Sequence, residues 1–319
     1  MDSQKKPIVV VGSINMDFVV KAPEIPRPGE TLTGTEFQTH FGGKGANQAV
    51  AIARLGYPVA MIGMVGSDTH GEHLKSSLKD VGVGIDAVGV VEGSSGVASI
   101  TVSASGENAI VVVAGANAKV SPDYLDRHEE TIKNAGMILA QLEVPIETIA
   151  HLAELCERHR VPLILDPAPA QNLPHQTFAK IDWITPNQTE SAFYAGQDSS
   201  ASHLTPEQSA ARLLARGCRG VVLKMGARGV YVAPSEGAAA FVPAFAVKAV
   251  DSVAAGDAFN GGFATALMRG ESPFESARFG AAVAALSVTR AGAQTAMPSM
   301  EEVERFRKLM TNHASEIPA

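Results

Sequence analysis

The chain has 319 residues, a net charge of −7 and a pI near 5.7, and it lacks the clustered basic residues that nucleic acid or an anionic membrane surface requires. Apolar residues at 45% and charged residues at 18% describe an ordinary globular protein, and no run of 18 apolar residues offers a membrane span. An anionic ligand would therefore have to be held by backbone donors and a metal. Cys156 and Cys218 are far apart, inside segments read as helical, and suggest neither a disulfide framework nor a thiolate metal site. The apolar part of MDSQKKPIVVVGS is too short for a signal peptide, so a cytoplasmic location is expected.

In chain order, IVVVGS at 8–13 reads as a first strand whose continuation GSINMD places Asn15 and Asp17 at its carboxyl edge. Asn and Asp there either form a turn or meet a ligand. Residues 17–41 hold a turn-rich PEIPRPGE and then an alternating TLTGTEFQTHF. FGGKGANQA at 41–49 is not a phosphate-binding P-loop: Gln38 stands where the first glycine belongs, and Gly45 where Ser or Thr belongs. No G-x-G-x-x-G follows the first strand either, which counts against a dinucleotide fold. What remains is a glycine-rich entry to a helix over 44–55, with Lys44, Asn47 and Gln48 at its start and Gly56 as its stop. Such a loop suits a polyol, whose hydroxyls amides can both donate to and accept from, or it is only a turn.

VAMIGMV at 59–65 reads as a strand, and HGEH at 70–73 as a solvated helix start rather than a metal pair. Residues 97–113 read as a hairpin, VASITVSA and AIVVV joined by SGEN. With 17–41 it could form a small sheet standing off the main body as a lid. Its second strand is apolar on both faces, more than a solvated lid needs, which invites a partner subunit. MILAQLE at 137–143 (closed by Glu143), PLILDPA at 162–168, WITPN at 183–187 and VVLKMG at 221–226 read as further strands. Asn187 and Glu190 in TPNQTE have the spacing of a capping box, or could order water around Mg²⁺. KMGARG at 224–229 is either a glycine hairpin before the strand VYVA or a nucleotide contact.

Continuous apolar strands alternating with amphipathic helices predict an α/β fold with a mostly parallel sheet and helices on both faces, plus the small β lid. The expected division is a body of residues 1–16, 42–96 and 114–319 and a lid of residues 17–41 and 97–113. Ligands should collect at the carboxyl ends of the body strands.

In AVDSVAAGDAFNGG, Phe259, Phe263 and Leu267 recur at the spacing of one helix face, which puts Asp257 in the first turn of a helix over 256–269. Free N–H groups at Ala254, Ala255 and Gly256 would form an anion cradle, and Asp257, kept ionised by the helix dipole, could serve as a general base. The plain alternative is a helix cap.

Taken together, GSINMD, FGGKGANQA, TPNQTE, KMGARG and AVDSVAAGDAFNGG resemble the ribokinase family of sugar kinases, in order and over almost the whole chain. Many members of that family carry Gly where Ala254 stands, a change that is harmless if φ there is negative. The resemblance implies ATP-dependent phosphorylation of ribose at O5, with Asp257 as base and the backbone of Ala254 to Gly256 as anion hole. It implies that Asn15, Met16, Asp17, Gly43, Lys44, Gly45, Ala46, Asn47, Glu143 and Asp257 hold the sugar. It assigns ATP to Asn187, Glu190, Lys224, Met225, Gly226, Ala227, Arg228, Gly229, Gly256, Asp257 and Ala281, with Glu190 near Mg²⁺. It also implies a Rossmann-like three-layer sandwich as the body, a K⁺ site from Asp251, Val253, Ser287, Arg290 and Gly292, with Ala296 where a polar residue would be expected, and a homodimer joined through the lid. Another sugar or nucleoside acceptor, such as deoxyribose or fructose, and a sugar-binding regulator without catalysis are the alternatives.

Overall fold

The computed structural model describes residues 5–196 and 204–314, the side chains of 311–314 excepted. Its strands are β1 (Ile8–Val11), β2 (Asn15–Ala22), β3 (Glu36–Gly42), β4 (Val59–Gly66), β5 (Gly84–Val91), β6 (Gly96–Ser103) and β7 (Asn108–Val113). They continue as β8 (Met137–Ala140), β9 (Leu163–Leu165), β10 (Trp183–Ile184), β11 (Gly220–Lys224), β12 (Val230–Pro234) and β13 (Ala240–Val242). Nine strands form one sheet in the order β13-β12-β11-β10-β9-β8-β1-β4-β5, parallel from β11 to β5, with β12 and β13 an antiparallel edge. The other four form a small sheet ordered β3-β2-β6-β7.

All four residues of β1 are fully buried, Ile8 and Val10 in the core on one face of the large sheet and Val9 and Val11 in the core on the other. A strand covered on both faces must be apolar throughout, which is why IVVV carries no alternation. The first core includes Phe259, Phe263 and Phe279 from the helices Ala255–Met268 and Pro273–Ser287. The second includes Leu152 and Cys156 from the helix Ile146–His159.

Several expectations need correction. β1 stops at Val11, and Asn15, Met16 and Asp17 open β2 of the small sheet instead of ending the first body strand. The pairing of β2 with both β3 and β6 draws the chain into the small sheet at once. Residues 31–34 are irregular, and only Glu36–Gly42 of the alternating run is strand. Cys218 lies in the turn before β11, not in a helix; both cysteines are buried and free. β7 is an edge strand exposed along its whole length, Ile110 to Val113 included. Among the described residues no helix is long and apolar enough to cross a membrane.

Candidate active site

The helix Ala255–Met268 is set by its glycines. A Cβ on Gly261 would press into Ala51 of the neighbouring helix Lys44–Arg54, and one on Gly262 into Gly280 and Val283 of the helix Pro273–Ser287. The three helices therefore approach closely and bring Asp257, in the first turn, against Asn47 and Gln48. Asp257 is not a helix cap. Its Oδ2 accepts from Asn47 Nδ2 at 3.0 Å and its Oδ1 from Gln48 Nε2 at 2.9 Å, and no side chain caps this helix start. Ala254, at the N-cap, has φ 58°, so the condition for a harmless methyl is not met; the residue occupies the left-handed region that favours glycine. The Ala255 N–H turns back to the Ser252 carbonyl at 3.3 Å, so that donor of the expected cradle has a partner within the chain.

Burial pushes the Asp257 carboxyl up to about 6; Lys44 and the amides of Asn47 and Gln48 pull it down, and Asp166 pushes it up. Burial by itself would lower the Lys44 ammonium, but Asp257, Asp166, Glu143 and Glu190 override it and hold the group charged. Asp166, which follows β9, pairs its Oδ1 with Lys224 Nζ at 2.9 Å, and a Cβ on Gly256 would lie 3.4 Å from that nitrogen. Lys224 thus stands over the start of the helix. Asp166 did not emerge from the sequence, because a lone Asp in PLILDPA has no partner within its own segment; the rule that ligands gather beyond strand carboxyl ends was the one available signal.

On the small-sheet side, burial raises the Asp17 carboxyl to about 7, with Glu143 and Asp257 adding to the effect, and its Oδ1 has no hydrogen-bond partner among the described residues. Gly42 and Gly43 make room here: a Cβ on Gly42 would collide with the Asp17 carboxylate, and Gly43, at φ 88°, packs against the backbone of Ser13 and Asn15. Glu143 Oε2 accepts from Ser13 Oγ at 2.5 Å and from the Lys44 backbone N–H at 3.1 Å. Asn15 Oδ1 accepts from Asn117 Nδ2 at 2.7 Å, and Asn47 Oδ1 from Gln294 Nε2 at 3.2 Å. Both expected sugar-binding amides are therefore anchored by residues that no local pattern marks, and Asn47 is tied to Asp257 as well. Gly45 and Ala46 are buried beneath the loop, with the Ala46 N–H donating to the Ser13 carbonyl at 2.9 Å.

On the other side of Gly256 opens a cavity of about 530 Å³. Lys224, Met225, Gly226, Ala227, Gly229, Gly256 and Ala281 line it, together with the apolar stretch Ala244 to Val247. Its mixture of backbone and apolar wall suits a flat, largely uncharged ring system. Arg228 does not line this cavity: with Met225 it borders a separate one of about 300 Å³, beside Gln188 and Ser191. Asn187 and Glu190 form a complete capping box, and the Asn187 N–H and Nδ2 both donate to the Glu190 carboxylate, at 2.7 and 2.8 Å. Burial raises the Glu190 carboxyl, Lys224 opposing and Asp166 adding.

Asp251 joins two loops, accepting from the Val253 N–H at 3.0 Å and the Gly292 N–H at 2.9 Å. The Ser287 carbonyl accepts from the Arg290 N–H at 3.3 Å, and Ala296 is buried in the short 3-10 turn Gln294–Ala296. Among the described residues no three His, Cys, Asp or Glu side chains gather as a metal site.

Comparison with known proteins gives the same frame. The pattern of the pfkB family carbohydrate kinases matches residues 5–300. The ribokinase of Bacillus subtilis is 42% identical over 301 residues, 94% of this chain and 98% of that protein. The ribokinase of Haemophilus influenzae is 40% identical over 303 residues, 95% of this chain and 98% of that one. The structure of Arabidopsis thaliana ribokinase complexed with ribose and ATP superposes with a TM-score of 0.88 at 34% identity, covering 96% of this chain and 99% of that chain.

Proposed function

The chain belongs to the pfkB family of carbohydrate kinases, and from that premise we infer that it phosphorylates D-ribose with ATP, at O5, giving ribose 5-phosphate and ADP. The observation that carries this reading is the placement of Asp257: a buried carboxylate in a helix first turn, with the Lys224-lined cavity on one side and the Asp17 and Lys44 cluster on the other. Asp257 takes the proton of the sugar O5 hydroxyl as O5 bonds to the γ-phosphorus and the bond to the bridging oxygen of ADP breaks. The first-turn N–H groups and Lys224 face the charge that develops on the phosphoryl oxygens. Asp17, Asn15 and Glu143 hold sugar hydroxyls, and the cavity bounded by Met225 to Ala227 and Ala281 holds adenosine.

Mg²⁺ would neutralise the phosphates when bound. Both Glu190 oxygens are already engaged by Asn187, which fits an ion held through water better than one bound directly. K⁺ would be held by the loops that Asp251 ties together; both Asp251 oxygens already accept backbone N–H bonds, so carbonyls of those loops would supply most of its ligands. At fixed ionic strength K⁺ should raise kcat several-fold over Na⁺, and Asp251→Ala should abolish the difference; equal rates in both salts would remove the cation from the account. The exposed β7 supports a homodimer joined through the small sheet. The cytoplasm, where ATP is made and thiols stay reduced, is the compartment this reading implies. ADP release measured across a panel of pentoses, hexoses and nucleosides tests the acceptor: ribose should give the highest kcat/KM, and a better deoxyribose or fructose would replace it.

A further inference from the structure

Gln48, expected with Lys44 and Asn47 to meet a polyol, turns instead to the carboxylates beneath the loop. It is fully buried in the helix Lys44–Arg54 and lies between two carboxylates. Its Nε2 donates to Asp257 Oδ1 at 2.9 Å and to Asp166 Oδ2 at 3.0 Å, one hydrogen to each. Its Oε1 accepts from Gln141 Nε2 at 2.5 Å, which fixes the way the amide is turned, since a flipped amide would set an oxygen against both carboxylates. Gln141 is itself fully buried just beyond β8, and Gly12 makes room for it: a Cβ there would run into the Gln141 side-chain oxygen. With the Asp166–Lys224 pair, the contacts run unbroken from Gln141 through Gln48 to the base and across to the lysine above the helix start.

We propose that Gln48 is the positioning residue of the phosphoryl transfer: clamped by Gln141, its amide fixes the rotation of the Asp257 carboxylate and separates it from Asp166. The inference rests on the kinase reading above. Two carboxylates brought close in a buried site do not both ionise readily unless something between them donates hydrogen bonds to the charged forms. The charged groups about Asp257 are Lys44 from the helix Lys44–Arg54, Asp166 beyond β9 and Asp17 from β2, with Lys224 of β11 behind Asp166 and Glu143 beside Asp17. The packed helix Pro273–Ser287 turns Glu275 and Arg278 to solvent. Loss of the Gln48 amide leaves Asp257 facing Asp166 with one donor fewer, so it should hold its proton to higher pH.

The test is Gln48→Met, close in volume and without donors, with kcat followed from about pH 5 to about pH 9 on ribose and MgATP. The expected result is a kcat at least ~10-fold lower at neutral pH, an acid limb about one pH unit higher, and a ribose KM within about 3-fold of wild type. In an Asp166→Asn background the upward shift from Gln48→Met should shrink, because the second negative charge is gone. A folded Gln48→Met protein with the wild-type acid limb would overturn the proposal. Should that variant fail to fold, Gln141→Met decides in its place: the limb should move the same way by less, and an unmoved limb would overturn the clamp. Wild-type protein that turned over no ribose would overturn the kinase reading and the role of Gln48 with it, a failure distinct from an unmoved limb.

Discussion

Asp17 shows how a residue in the site works against the fold. Burial raises its carboxyl from an ordinary 3.8 to about 7, Glu143 and Asp257 contribute, and one oxygen has no partner among the described residues. Since the folded state binds this proton more tightly than the unfolded chain, the stability it contributes is full below about 3.8 and is lost as pH rises through about 7. Asp17→Asn should therefore gain in melting temperature over wild type as the pH is raised from about 4 to about 8, while its ribose KM rises. A difference in melting temperature that stayed constant across that range would mean the carboxylate is not perturbed by folding. Single residues were legible in the sequence where a local pattern marked them: Asp257 by its helix-start glycine and Lys44 by the glycines about it. Asp166, Ser13, Asn117 and Gln294 were not, because each acquires its partner from more than 50 positions away.

At the scale of elements, the start of the helix Ala255–Met268 is strained where the sequence offered a choice. Ala254 sits at φ 58° and packs its methyl against the core. Ala254→Gly should relieve the left-handed conformation and stabilise the protein by roughly 1 kcal/mol in urea unfolding. A less stable glycine variant would show that the packing of the methyl outweighs the backbone strain. The long apolar strands and the helices framed by glycine were legible because periodicity and stop signals agree there. β5 and β13 were not picked out: GIDAVGVV carries two glycines and β13 is only three residues long. GSINMD misled for a similar reason. Nothing local to Asn15 says that its strand pairs with β3 and β6 and not within the body.

For the whole molecule, β7 presents Ile110, Val111, Val112 and Val113 at 52 to 66% exposure on an open edge, a surface that soluble chains ordinarily cover. If the proposed homodimer forms through this edge, Val112→Lys should convert it to a monomer in sedimentation and raise the ribose KM. A wild-type chain that sediments as a monomer at micromolar concentration would remove the interface. The proposed phosphoryl-transfer site lies at the carboxyl ends of the parallel strands of the nine-stranded sheet, where Glu143, Asp166 and Lys224 end or follow β8, β9 and β11. The small sheet supplies Asp17 from the other side. The measurement that bears most directly on this arrangement is kcat for ribose with MgATP in Asp257→Asn. The amide keeps the shape but cannot take the O5 proton, so kcat should fall at least ~100-fold while the ribose KM moves far less. A variant that keeps more than about a tenth of the wild-type kcat would contradict the assignment of Asp257 as the base.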